Sequence, residues 1–127
     1  MAPPKKQKAL VSPEAATPVG VKYDAGKINM ALLSPVAMVE LTRVLDFGAK
    51  KYADHNWRKG ITAQRLLAAL LRHVFAYLGG ETHDKETGLS HIAHAMCCCM
   101  FIIELKLTKP ELDDRFVIVV PTDVSGE

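Results

Sequence analysis

The stretch "AMCCCMFII", residues 95 to 103, carries no charge on any face of the helix it would form. A helix that is apolar all round is stable in water only when other elements surround it. A helix from near Leu89 to about Leu107 is therefore expected at the centre of the fold, with the rest of the chain covering it. The run is far shorter than the roughly 20 residues of a membrane span, so no membrane partner is expected. Cys97, Cys98 and Cys99 are the only cysteines and are adjacent. Neighbouring cysteines cannot build the disulfide framework of a secreted domain, and "MAPPKKQKAL" has no apolar segment behind its charges. A reducing, cytoplasmic setting is the expectation.

Two more helices are legible. Ser34-Pro35 is a capping hydroxyl followed by a proline, whose missing N–H is harmless at the first helical position. It predicts a helix from Pro35 to about Tyr52, with Val36, Val39, Leu41, Val44, Leu45 and Phe47 buried. A second helix is expected from a Thr62 cap to Gly79-Gly80, its stripe formed by Leu66, Leu67, Leu70, Leu71, Val74, Phe75 and Leu78. The predicted fold is all-α, a small bundle of three to four main helices over residues 21–110. Four prolines and no apolar periodicity mark residues 1–20 as a flexible arm. Residues 111–127 read as an extended tail whose "FVIVV" forms an edge strand or packs on a neighbour. A chain of 127 residues builds only a small core, so a homo-oligomer, dimer or tetramer, is expected. A net charge of +2 is too small for a protein that coats nucleic acid.

The chemistry concentrates in "GETHDKETGLSHIAH", residues 80 to 94. His91 and His94 are three apart at the start of the central helix, so their imidazoles share a face. Glu81, Asp84 and Glu86 precede them in a glycine-bounded loop that can bring carboxylates to the same place. Cys98 shares the histidine face, whereas Cys97 and Cys99 point elsewhere, and all three are expected as packing. Arg65, Arg72 and His73 on the second helix, with Lys50 and Lys51 ending the first, would make a cationic wall with Ala69 and Ala76 leaving room for an anion. "KYDAGK" adds Lys22, Asp24 and Lys27 around a glycine. Tyr52, Asn56 and Trp57 combine aromatic faces with an amide, which suits either a nucleobase or a loop that tucks a tryptophan into a core. No P-loop, G-x-G-x-x-G, H-E-x-x-H or nucleophile elbow occurs, so covalent catalysis is not indicated.

Three segments together resemble a phage and prophage family of dATP/dGTP diphosphohydrolases, within the MazG-like all-α nucleotide pyrophosphohydrolases. They are "KYDAGK" (22–27), "VLDFGAKKYADHNW" (44–57) and "RLLAALLRHVFAYLGGETHDKETGLSHIAHA" (65–95). The resemblance covers residues 21 to 107. It implies a MazG-like helical bundle that hydrolyses a purine (d)NTP to the monophosphate and pyrophosphate with a divalent metal, Mg2+ or Mn2+. Glu81, Asp84, His91 and His94 would then be catalytic and metal-holding, with Glu40 a further carboxylate. Lys22, Asp24, Lys27, Lys51, Tyr52, Asn56, Trp57, Arg65, Arg72 and His73 would bind substrate. The E-x-x-E helix usual in that group is missing, and histidines stand where an acidic pair would be; imidazole suits manganese, cobalt or zinc better than magnesium. A non-catalytic protein that sequesters a nucleotide signal, and a purely structural helical oligomer, are the alternatives.

Overall fold

The computed structural model describes residues 18–122, and most of the expected arm lies outside them. The chain divides into two units, one up to Leu32 and one from Leu33. The first is short. Its "KYDAGK" turns at Asp24, whose carbonyl accepts from Lys27 N–H at 3.0 Å, and Gly26 takes φ +82°, a value glycine reaches without a Cβ penalty. A 3-10 turn at Met30–Leu32 follows, started by the Asn29 side chain accepting from Ala31 N–H.

Among the described residues, the second unit holds three α-helices: α1 (Pro35–Lys51), α2 (Ala63–Leu78) and α3 (His91–Thr108). Each begins where its chemistry allows. Ser34 Oγ accepts from Ala37 N–H at 3.1 Å with Pro35 in the first turn, and Ser90 Oγ accepts from both Ile92 and Ala93 N–H. Thr62 occupies the cap position of α2, but its side chain makes no capping bond. Asp114, fifty residues on, accepts from Gln64 N–H at 2.8 Å instead, so the segment after α3 closes the start of α2. That segment is itself held by Asp113, which accepts from both Lys106 and Arg115.

α1 and α2 both pack on α3, which makes α3 the central helix its sequence requires. Leu41 and Val44 of α1 meet Ala93 and Cys97, while Leu66 of α2 meets Leu105 together with Trp57 from the 3-10 turn Asn56–Lys59. α3 is long and apolar enough to cross a membrane, at 18 residues and mean hydropathy 1.4. In this fold the other two helices bury only part of it, including Ala93, Cys97 and Leu105, while Ile92, Ile103 and Leu107 stay exposed.

The apolar stripes are wider than the core. Val36, Val39 and Phe47 of α1 and Leu71, Phe75 and Leu78 of α2 are exposed, contrary to the expectation that they are buried. One central helix offers contact to only one side of each neighbour, so the rest of each stripe faces outward. The "FVIVV" segment, residues 116–120, forms no strand and is exposed.

Candidate functional site

Because α1 and α2 lean on α3 rather than on each other, a cavity of about 510 Å³ opens between them with α3 as its floor. That volume is within the range of small-molecule sites. The C-terminal half of α1 and the turn after it supply Lys51, Tyr52 and Asn56; α2 supplies Arg72 and His73; the loop supplies Asp84, Glu86 and Thr87; α3 supplies His91, His94, Cys97 and Cys98.

The loop between α2 and α3 is built to present its acids. Glu81 N–H returns to Ala76 C=O, His91 N–H bonds Thr82 C=O, and Asp84 N–H bonds Leu89 C=O, with Gly80 at φ +104° and Gly88 at φ +74° making the bends. The result sets each acid against a histidine ten residues ahead. Glu81 Oε1 lies 2.6 Å from His91 Nε2, and Asp84 Oδ2 lies 3.6 Å from His94 Nε2. Thr87 fills the second gap: its hydroxyl donates to Asp84 Oδ2 at 3.1 Å and lies 2.8 Å from His94 Nε2. Its oxygen also accepts from Leu89 N–H. A hydroxyl has one proton, so with that proton on the Asp84 carboxylate it is His94 Nε2–H that donates to Thr87 Oγ.

His73 completes the cluster from α2. Its Nδ1 lies 2.9 Å from His91 Nδ1, and its ring stacks on His94 at 4.4 Å between centroids and 5° between planes. His91 is buried, 4% exposed, with both ring nitrogens engaged. Burial, followed by the neighbouring His94 and His91 rings, lowers the pKa of His73. Burial lowers His94 as well, against the pull of Asp84. The hydrogen bond from His91 holds Glu81 below the usual carboxylate value. Burial pushes Asp84 up, but the bonds from Thr87 and the Glu86 N–H outweigh it and its pKa ends lowered. These directions favour neutral imidazoles at His73 and His94 and ionised carboxylates at Glu81 and Asp84 at neutral pH.

A resident metal does not fit this arrangement. Among the described residues, no group of three or more His, Cys, Asp and Glu side chains is placed to hold an ion. The loop acids and the histidines of the expected ligand set are spent on one another. Glu40 lies 3.4 Å from Arg43 on the surface of α1 and does not line the cavity. Burial raises the Cys97 thiol to about 12 and the Cys98 thiol to about 11, so both stay protonated and serve as packing. Cys97, expected to point away from the histidine face, lines the cavity with Cys98; Cys99 is the exposed one.

The expected binding residues divide. Lys51, Tyr52, Asn56, Arg72 and His73 line the cavity. Lys51 is 4.0 Å from Glu86, whereas Arg72 forms no ion pair with any described residue and is the open cation of the wall. Arg65 is exposed outside the cavity, so the seven-residue spacing does not carry both arginines in. Trp57 lines the cavity too, but as a core residue, 8% exposed and stacked on Phe101 at 4.3 Å with the Arg58 guanidinium over its ring. Lys22, Asp24 and Lys27 belong to the first unit. Thr87 was not foreseen; its signal was a hydroxyl three residues after Asp84 inside the same glycine-bounded loop.

Fold and site together define a small helical domain with an imidazole-lined cleft between its helices. The chain belongs to the family described as dATP/dGTP diphosphohydrolase, N-terminal, which matches residues 17–115. A protein of Salmonella phage PMBT28 named dATP/dGTP diphosphohydrolase is 44% identical over 96 residues, which is 76% of this chain. The chain spans 33% of that relative's length. No solved structure matches it.

Proposed function

We propose that the chain hydrolyses a purine deoxynucleoside triphosphate, dATP or dGTP, to the monophosphate and pyrophosphate. The observation that carries this reading is Arg72, an open cation beside His73 on the wall of a nucleotide-sized cleft. A guanidinium there suits the planar faces of a phosphate, and Lys51 adds a second positive charge. Tyr52, 64% exposed at the end of α1, and Asn56 are the residues suited to stack on and read the base. The name of the phage relative and the family match support the substrate class. Because the cluster has no ligand set for a resident ion, the divalent metal enters as part of the substrate, chelated by the triphosphate. A homo-oligomer in a cytoplasmic setting belongs to the same proposal, since the outward stripes of α1 and α2 need covering.

The test is phosphate release in the presence of pyrophosphatase, run over all the deoxy- and ribonucleoside triphosphates with Mg2+ and Mn2+. Turnover greatest with dATP or dGTP is the expected result; no turnover with any of them sinks the reading. The paired rather than ion-directed histidines favour one second reading, a protein that binds a nucleotide without cleaving it. Nucleotide recovered unchanged from a complex after heat denaturation would decide for that one.

A further inference from the structure

We infer that His73 is the base that activates the attacking water, and that Glu81 acts on it through His91. This rests on the hydrolase reading above and adds to it the identity of the proton acceptor. The inference follows from which atom of each ring faces which neighbour. A carboxylate only accepts, so the 2.6 Å contact with Glu81 places a proton on His91 Nε2. In the relay we infer, that is the one proton His91 carries, so its lone pair is on Nδ1 and the 2.9 Å contact makes His73 the donor through its own Nδ1–H. The lone pair of His73 is thereby left on Nε2, which makes no hydrogen bond with any described residue, on a side chain that lines the cleft beside Arg72. The parallel stack on His94, itself tied to Thr87 and Asp84, holds the ring plane.

The groups around His73 favour the neutral, accepting form in the resting state. Arg72 on its own helix and His91 and His94 from α3 oppose a positive charge on it, and Asp84 from the loop alone favours one. Glu86 and Lys51 on the cleft wall offset each other. In the step itself, a water O–H bond breaks and its proton goes to His73 Nε2. The proton on His73 Nδ1 passes to His91 Nδ1, so the charge comes to rest on His91 against the Glu81 carboxylate. The water oxygen bonds the α-phosphorus, the bond from that phosphorus to the α,β-bridging oxygen breaks, and its electron pair leaves on pyrophosphate. His73 is a catalytic residue in this scheme; His91 and Glu81 are positioning residues.

Two measurements test it, and the first needs no activity. Nitrogen-15 NMR of the imidazoles in the ligand-free protein at neutral pH should show His91 protonated on Nε2 and His73 on Nδ1. A resting His73 with its proton on Nε2 overturns the inference. In the second, His73→Ala should lower kcat by about a hundredfold or more with KM little changed, and added imidazole should restore turnover. His73→Asn serves the same purpose if the alanine variant fails to fold. Glu81→Gln keeps an acceptor for His91 Nε2–H but removes the charge that stabilises the protonated relay, so it should lower kcat and shift the acid limb of the kcat–pH profile to lower pH. Wild-type kcat in His73→Ala overturns the relay and leaves the hydrolase reading standing. No turnover by wild-type protein overturns the hydrolase reading itself, and the NMR result tells the two failures apart.

Discussion

His91 occupies the first position of α3, with Glu81 on one ring nitrogen and His73 on the other. A side chain so placed transmits a preference rather than binding anything itself, and the open groups of the cleft are its neighbours. Of the lysine and arginine that line the cleft, Lys51 meets Glu86 and Arg72 makes no ion pair with a described residue, so Arg72→Ala should raise KM for the nucleotide by about tenfold or more, the loss of one charge-assisted bond. Arg72→Lys should recover only part of it, because an ammonium lacks the paired donors. Steady-state kinetics on the three proteins checks this. The same residues set a pH dependence of folding. His73 and His94 bind protons less readily folded than unfolded, so the unfolded chain holds more protons below about pH 6.5 and stability falls as the pH drops through that region. Glu81 and Asp84, with lowered pKa, keep their contribution until the pH falls below the ordinary carboxylate range. The melting temperature should therefore start to fall between about pH 7 and about pH 6, well above carboxylate titration, and His73→Gln should delay that fall. A melting temperature level down to about pH 5 would contradict the assignment of neutral imidazoles.

At the scale of elements, the ends of the helices were legible because their signals are local. Ser34-Pro35 and Gly79-Gly80 each bond within a few residues, and the observed bounds agree with the expected ones to within two residues; the Ser90 cap of α3 was not read from the sequence. The start of α2 was legible in place but not in cause. Thr62 stands at the cap, yet the bond comes from Asp114, which no local pattern connects to it. The consequence is measurable by denaturant titration. Asp114→Ala should cost about 1 kcal/mol as a lost helix cap, while Thr62→Ala should cost only a few tenths. The site shows the same division. The grouping of His91 and His94 with Glu81 and Asp84 was legible from spacing, and the structure sets each acid against a histidine. His73 was assigned to a cationic wall because its role depends on a contact between α2 and α3 that spacing within one helix does not show. Trp57 had two readings from sequence, and its packing with Leu66 and with Phe101 and Leu105, the last two distant in the chain, places it in the core at the edge of the cavity.

For the whole molecule, the mismatch between apolar stripes and buried residues is the main fact. Among the described residues no large side chain is fully buried, and both α1 and α2 keep apolar residues turned outward. An apolar stripe in sequence marks surface that needs covering, and it reads the same whether the cover is this chain or another. Covering by a second copy predicts a mass above one chain in light scattering coupled to size exclusion. Charged substitutions at Val39 or Phe75, both exposed, should lower that mass while sparing helix content by circular dichroism. Loss of helix content with loss of mass would assign these side chains to the fold of the single chain instead.

The loop from Gly79 to Ser90 has one more property. Its acids are three apart, the histidines they meet are three apart, and both pairs span ten residues, 81 to 91 and 84 to 94. It works as a ruler laid along the first turn of α3. One residue added or removed between Thr87 and Ser90 would move neither helix, yet it would slide both acids off their histidines together. Surface loops usually tolerate changes of length. In this one, length is the specification, together with Gly80 and Gly88 at the bends and Thr87 between Asp84 and His94.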